Sequence, residues 1–314
     1  MILSASRRTD IPQYYSEWFF NRLNEGYLYV KNPMNSHQIS KIDLSPDQVE
    51  LIVFWTKNPK PMLKRLSKLG PIPCYIQFTL TGYGREIEPG LPDKKELLRI
   101  FCQTADLIGA DKVVWRYDPI FVNSRYQEDY HLRAFEQIAK ALQGYTGKVT
   151  ISFLDWYGKT ARNMRGIEVE ALSEERMLCI SKAMADIAGF WGMRVEACAE
   201  SLDLSQAGVF PGSCIDPVLA EQILGVPVRN RKDKNQRKGC GCMESVEIGT
   251  YDTCPAGCRY CYANDSQASV KRRRLLYDVH SPLLCGRIEK GDKITERKAG
   301  SIRKFVDEPL NFGQ

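Results

Sequence analysis

Short apolar runs punctuate the chain at 2–6, 27–31, 51–55, 75–80, 112–117, 148–154, 194–199 and 246–250. They are rich in Val, Ile, Phe, Tyr and Trp, the residues that fit a pleated, buried surface. Between several of them, apolar positions recur every three to four residues, the period of an amphipathic helix. Segment 16–24 carries Trp18, Phe19 and Leu23 on one face. Segment 93–108 opens on Asp93 as an N-cap and repeats Leu97, Leu98 and Phe101. Segments 130–142 and 173–190 follow the same rule. Strands alternating with helices imply parallel βαβ units. Eight of them predict an α/β fold, a (β/α)8 or partial TIM-like barrel, although a doubly wound open sheet satisfies the same count. The expected layout is one barrel domain over 1–314, with a special loop at 251–264 and a C-terminal extension at 265–314.

The residues that close these runs are polar in a consistent way. They include Ser6, Arg7 and Arg8, then Lys31, then Thr56, Lys57 and Asn58, then Arg116 and Asp118, then Asp155. In parallel barrels the active site is built from the loops at the C-terminal strand ends. Turn and cap chemistry explains Asp and Asn at such places, but it explains repeated Arg and Lys poorly. Arg7, Arg8, Lys31, Lys57 and Arg116 are therefore candidates for binding phosphate or carboxylate. Arg116, Asp118 and Asp155 are candidate catalytic groups, the two acids for proton transfer.

With 43% hydrophobic residues the chain can bury a sizeable core. No apolar run approaches the roughly 18 residues of a membrane helix. Residues 1–8 lack the apolar core of a signal peptide. A cytoplasmic protein with no membrane partner is expected. The formal charge of +6 comes largely from runs at 229–238 and 271–274, which are either solvated faces or contacts for phosphates. Gly82-Tyr83-Gly84 is too short for a phosphate-loop fingerprint, and the three histidines are scattered.

Eleven cysteines are many for a reducing compartment and point to metal or redox chemistry. Cys74, Cys102 and Cys179 stand alone and read as small buried hydrophobes. The sharpest signal is Cys254, Cys258 and Cys261, spaced C-x₃-C-x₂-C. Three thiolates on one loop suit three irons of a 4Fe–4S cube and leave the fourth open. Zinc is the rival, although it usually takes four ligands in paired CxxC units. Cys198, Cys214, Cys240 and Cys242 are either an auxiliary 4Fe–4S cluster, a zinc site, or four unrelated thiols.

The spacing C-x₃-C-x-aromatic-C, with Tyr260 as the aromatic, resembles the radical S-adenosylmethionine (SAM) superfamily. The wider text TCPAGCRYCYAN at 253–264 looks most like members related to spore photoproduct lyase. From SASRRTDIP (4–12) through FWTKNP (54–59), WRYDPI (115–120) and CGC (240–242), the chain resembles the family called DUF1848. The superfamily resemblance implies a 4Fe–4S cluster, SAM as cofactor, and an electron donor such as flavodoxin or ferredoxin. It implies cofactor contacts at Tyr260, Ser6, Arg7, Arg8, Thr56, Lys57 and Asn58. In that superfamily the motif follows the first barrel strand; here it follows the last predicted one. A circular permutation accounts for this, with 246–250 as barrel strand one and 2–6 as strand two. The Gly-Gly-Glu usual after strand two is replaced by Ser6-Arg7-Arg8-Thr9-Asp10. Two readings follow: an enzyme acting on an anionic, small or nucleotide-like substrate, or a non-catalytic iron–sulfur or zinc protein that binds nucleic acid.

Overall fold

The computed structural model describes residues 1–237 and 239–304. Lys238 of the first basic run, and residues 305–314 of the expected extension, lie outside the described residues. In chain order the strands are β1 (Ile2–Ala5), β2 (Tyr27–Asn32), β3 (Asn35–Asp43), β4 (Leu51–Thr56), β5 (Cys74–Thr79), β6 (Val113–Ile120), β7 (Lys148–Phe153), β8 (Arg194–Cys198), β9 (Phe210–Gly212), β10 (Val246–Glu247) and β11 (Lys293–Glu296).

Eight of them form one sheet in the order β10-β1-β4-β5-β6-β7-β8-β9. Every pairing in it is parallel. A doubly wound sheet needs a reversal in strand order. Here the order from β1 to β9 never reverses, and right-handed crossovers then place the helices on one face. That is the winding of a barrel. Among the described residues the ladder does not close between β9 and β10, so the barrel is partial.

Alternation along each strand sorts its residues between two cores. Leu3, Ile52, Phe54 and Ile76 join the larger core. Ile2, Leu51, Val53, Tyr75 and Val114 join an inner cluster that also holds Cys214, Ile215, Cys240 and Cys242. Tyr75 Oη and Gln77 Nε2 both donate to the carbonyl of Cys214, at 2.7 and 2.9 Å. The 214 loop is thereby fastened to the inner face of β5.

The predicted helices form at Ser16–Glu25, Lys94–Ile108, Glu128–Ala141 and Glu174–Phe190. Asp93 caps the second of these, its carboxylate accepting from Lys95 N at 2.8 Å. None of the described helices is long and apolar enough to cross a membrane.

The strand count of eight holds, but its membership changes. Segment 27–31 is not a barrel strand. It pairs antiparallel with β3, which β11 joins in parallel, as a separate three-stranded sheet. The apolar content of a hairpin strand packed on one side is indistinguishable from that of a barrel strand by composition alone. Lys31 accordingly leaves the polar site and pairs with Asp292 at 3.1 Å. β9, of three residues, replaces it as a sheet member and is too short for an apolar pattern. Cys74 is buried as expected, whereas Cys102 is half-buried and Cys179 exposed. The segment after the cysteine loop runs down the side of the fold. Trp18 Nε1 and Asn21 Nδ2 donate to the carbonyls of Ser281 and Val279 there.

Candidate active site

β10 is joined to β1 by a carboxylate as well as by backbone. Glu247 accepts from Ser4 Oγ and Arg7 N through one oxygen, both at 3.0 Å, and from Gly249 N through the other at 2.8 Å. The chain then passes so close to the β1 turn that a Cβ on Gly249 would lie 1.8 Å from Ser6 Oγ. No side chain fits there. This approach carries the loop that follows β10 to the end of the sheet where β1, β4, β6, β7 and β8 terminate.

The loop is clamped on all sides. Asn264 Nδ2 donates to the Cys254 carbonyl at 2.7 Å, Asn163 Nδ2 to that of Cys261 at 2.9 Å, and Tyr15 Oη to that of Thr253 at 2.6 Å. Gly257 takes a left-handed φ of 72°, which costs a glycine little. Gly90 N donates to the Ala256 carbonyl at 2.9 Å, and a Cβ on Gly90 would sit 2.5 Å from that same oxygen.

The result is a cavity of about 340 Å³ at the C-terminal strand ends, the size of a small-ligand site. Cys254, Cys258 and Cys261 line it, and so do Cys198, Cys214, Cys240 and Cys242. Ser6, Arg7, Arg8, Thr56, Lys57, Arg116, Asp118, Asp155 and Tyr260 line it too. Asn58 does not. It is buried, and its side-chain oxygen accepts from Lys60 N at 3.2 Å, which ties it to the short helix Lys60–Leu63.

Several expected contacts are already committed within the protein. Thr56 Oγ1 and Lys57 N donate to the two oxygens of Asp10, at 2.7 and 2.8 Å. Burial pushes Asp10 up to about 6 despite those bonds. Lys57 Nζ donates to Tyr260 Oη at 2.7 Å and to Glu88 Oε1 at 2.9 Å. Tyr260 Oη donates to the same Glu88 oxygen. Burial alone would raise Glu88, but Lys57 and Lys94 overcome it and hold the carboxyl at about 2. Tyr260 therefore positions Lys57 at the cavity edge. Asp155 is partly exposed and paired with Arg237.

Burial raises the thiol of Cys254 to about 12 and that of Cys258 well above the ordinary range. Such thiols ionise only when a cation compensates them, as a metal does. Among the described residues, no three His, Cys, Asp or Glu side chains already stand as the shell of one metal ion. A cube differs from a single ion in taking each thiolate on a different iron. Three cysteines on one clamped loop beside an open cavity fit that donor set.

A family model described as Domain of unknown function (DUF1848) matches residues 2–263. The chain belongs to this family. The DUF1848 region contains β1 to β10 and all seven cysteines that line the cavity. β11, Cys285 and the helix Gln267–Arg274 lie beyond it. No curated protein is similar enough to the chain to count as a match.

Some lining and supporting groups of the DUF1848 site carry no sequence signal. Glu88 lies in a segment without periodicity. Trp55 reads as an ordinary apolar strand residue, yet the Arg7 guanidinium carbon lies 4.8 Å from its ring centroid and that of Arg116 5.5 Å.

Proposed function

We propose that this protein is a radical SAM-type enzyme of the cytoplasm that acts on an anionic, small or nucleotide-like substrate. The observation that carries the reading is the meeting of Cys254, Cys258 and Cys261 with the polar C-terminal strand ends around one cavity. A cluster held by three cysteines, when bound, supplies reductive cleavage of SAM to a 5′-deoxyadenosyl radical. The position of β10 beside β1 supports the permutation, because it gives the loop the place that follows a first barrel strand.

The chain's own residues prepare the site. Cys254, Cys258 and Cys261 would hold the 4Fe–4S cluster. Asn264, Asn163 and Tyr15 fix the loop's backbone, so its sulfurs present one arrangement. Lys57 keeps its charge because Glu88 is ionised against it. It offers an ammonium at the cavity edge to a carboxylate or phosphate. Arg8 adds a second cation, with Nη1 3.4 Å from the Gly249 carbonyl and its guanidinium over Tyr251. Asp118, ionised beside Arg116 and bonded by Ser152, is placed to receive a proton from substrate. A flavodoxin or ferredoxin would deliver electrons.

The test is anaerobic purification, reconstitution with iron and sulfide, reduction, and addition of SAM. Formation of 5′-deoxyadenosine supports the enzyme. A preparation that takes up zinc alone and leaves SAM intact supports the non-catalytic, nucleic-acid-binding reading instead.

A further inference from the structure

The four cavity-lining cysteines outside the loop come from three separate places in the sequence: the end of β8, the loop after β9, and the Cys240-Gly241-Cys242 turn. They converge on the inner core of the barrel. Cys198 Sγ and Cys214 Sγ are 3.1 Å apart. Cys242 Sγ accepts from Ile215 N at 3.4 Å, and Cys214, Cys240 and Cys242 are buried together in the inner cluster, with Cys198 packed against it. The Cys240-Gly241-Cys242 turn is pressed against Ser213, where a Cβ on Gly241 would lie 2.5 Å from Ser213 Oγ. Nothing about packing four small hydrophobes requires such convergence.

Two guanidinium groups face this sulfur chain. Arg116 is buried and donates Nη1–H to Cys214 Sγ at 2.8 Å. Arg7 lies within charge range of Cys242, Cys214 and Glu247, and its Nη2 is buried without a hydrogen-bond partner. Asp118 balances part of the Arg116 charge. Neutral thiols give a buried guanidinium nitrogen little to bind, and leaving one unpaired is costly. Four thiolates around a divalent ion, or around a 4Fe–4S core, carry a net charge of about −2. Such a centre gives the Arg116 Nη1 that faces Cys214 and the unpartnered Arg7 Nη2 charged sulfur to face.

We propose that Cys198, Cys214, Cys240 and Cys242 bind a second, fully thiolate-ligated metal centre, with Arg7 and Arg116 as its counter-charges. The centre faces the same cavity as the C-x₃-C-x₂-C loop, since all seven cysteines line it. Arg116 and Arg7 are then positioning residues for this centre rather than catalytic or SAM-binding groups. The proposal does not rest on SAM chemistry at the loop. The four sulfurs do not already stand as the shell of one ion, so a single zinc ion would have to draw them together, whereas a 4Fe–4S core takes each thiolate on a different iron; the donor chemistry is shared, and the test separates the two.

The test uses the full chain with Cys254, Cys258 and Cys261 all changed to Ala, purified without oxygen. It is offered iron with sulfide in one arm and zinc in the other, with circular dichroism to verify the fold. The variant is expected to retain one centre, either a sulfide-bearing chromophore or one zinc per chain. Adding Cys214→Ala and Cys242→Ala should abolish that binding. Arg116→Met in the same background should weaken it by about 10–100-fold, the usual effect of losing an outer-shell partner. A folded variant that holds neither metal would overturn the proposal, as would binding unaffected by the two added changes. A Cys198–Cys214 disulfide in freshly isolated anaerobic protein would overturn it as well. Should the triple variant fail to fold, Cys214→Ala with Cys242→Ala in the otherwise wild-type chain decides: bound metal is expected to fall by one centre per chain relative to reconstituted wild type, and unchanged metal content refutes the second site. Because no SAM is used, failure of the enzyme reading leaves this result unaffected.

Discussion

Leu3 of β1 and Val246 of β10 are register partners in a parallel ladder. They lie far apart in the sequence, and their pairing brings the cysteine loop to the strand ends that carry Arg7, Lys57 and Arg116. Every functional expectation for the loop depends on this one piece of topology.

Replacing Cys254, Cys258 or Cys261 singly by Ala should remove SAM cleavage and lower bound iron, because each change leaves one iron without a protein ligand. Iron analysis and electron paramagnetic resonance of the reduced protein check this. A SAM-responsive signal surviving in all three variants would refute the loop assignment.

Gly90→Ala should disturb the loop from outside it. The new Cβ would press on the Ala256 carbonyl, a backbone atom that cannot rotate away. Overpacking of this kind costs about 1–3 kcal/mol. Urea unfolding should show the loss, and cluster reconstitution should become incomplete. Wild-type iron content in the variant would show that the loop tolerates displacement.

Tyr260→Phe removes a hydroxyl that bridges Lys57 and Glu88 inside the protein. Losing a buried hydrogen-bond partner typically costs about 1–3 kcal/mol. Cluster content should remain, while turnover falls as Lys57 loses its fixed position. Loss of the cluster with unchanged stability would instead mark Tyr260 as a cluster contact.

Glu88 makes stability depend on acid. Its folded value of about 2 lies below the ordinary 4.5, so the folded protein holds this carboxylate ionised more strongly than the unfolded chain does. The stabilisation is complete above about 4.5 and is lost as pH falls through the window down to about 2. Melting temperature measured across that window should fall less steeply for Glu88→Gln than for wild type. Equal slopes would place the acid sensitivity elsewhere.

The alternation of apolar runs with helical periodicity was sufficient to read a parallel α/β fold and seven of the eight strands of the main sheet. Spacing alone marked Cys254, Cys258 and Cys261 as one unit, because three thiols on one short loop are neighbours whatever the fold. The strand ends bearing Arg7, Lys57, Arg116 and Asp118 were also legible, since in a parallel sheet the chain direction places all of them at one end. Three things required the tertiary structure. Segment 27–31 left the barrel for a hairpin, because apolar composition does not say which sheet a strand joins. Glu88 emerged as a buried acid only through Lys57, Lys94 and Tyr260, which meet it from three different segments. The convergence of Cys198, Cys214, Cys240 and Cys242 on Arg7 and Arg116 was decided by β8, β9 and the fastening of the Cys214 carbonyl to Tyr75 and Gln77. Sequence separation carries no distance, and only packing of the barrel interior converts scattered thiols into neighbours.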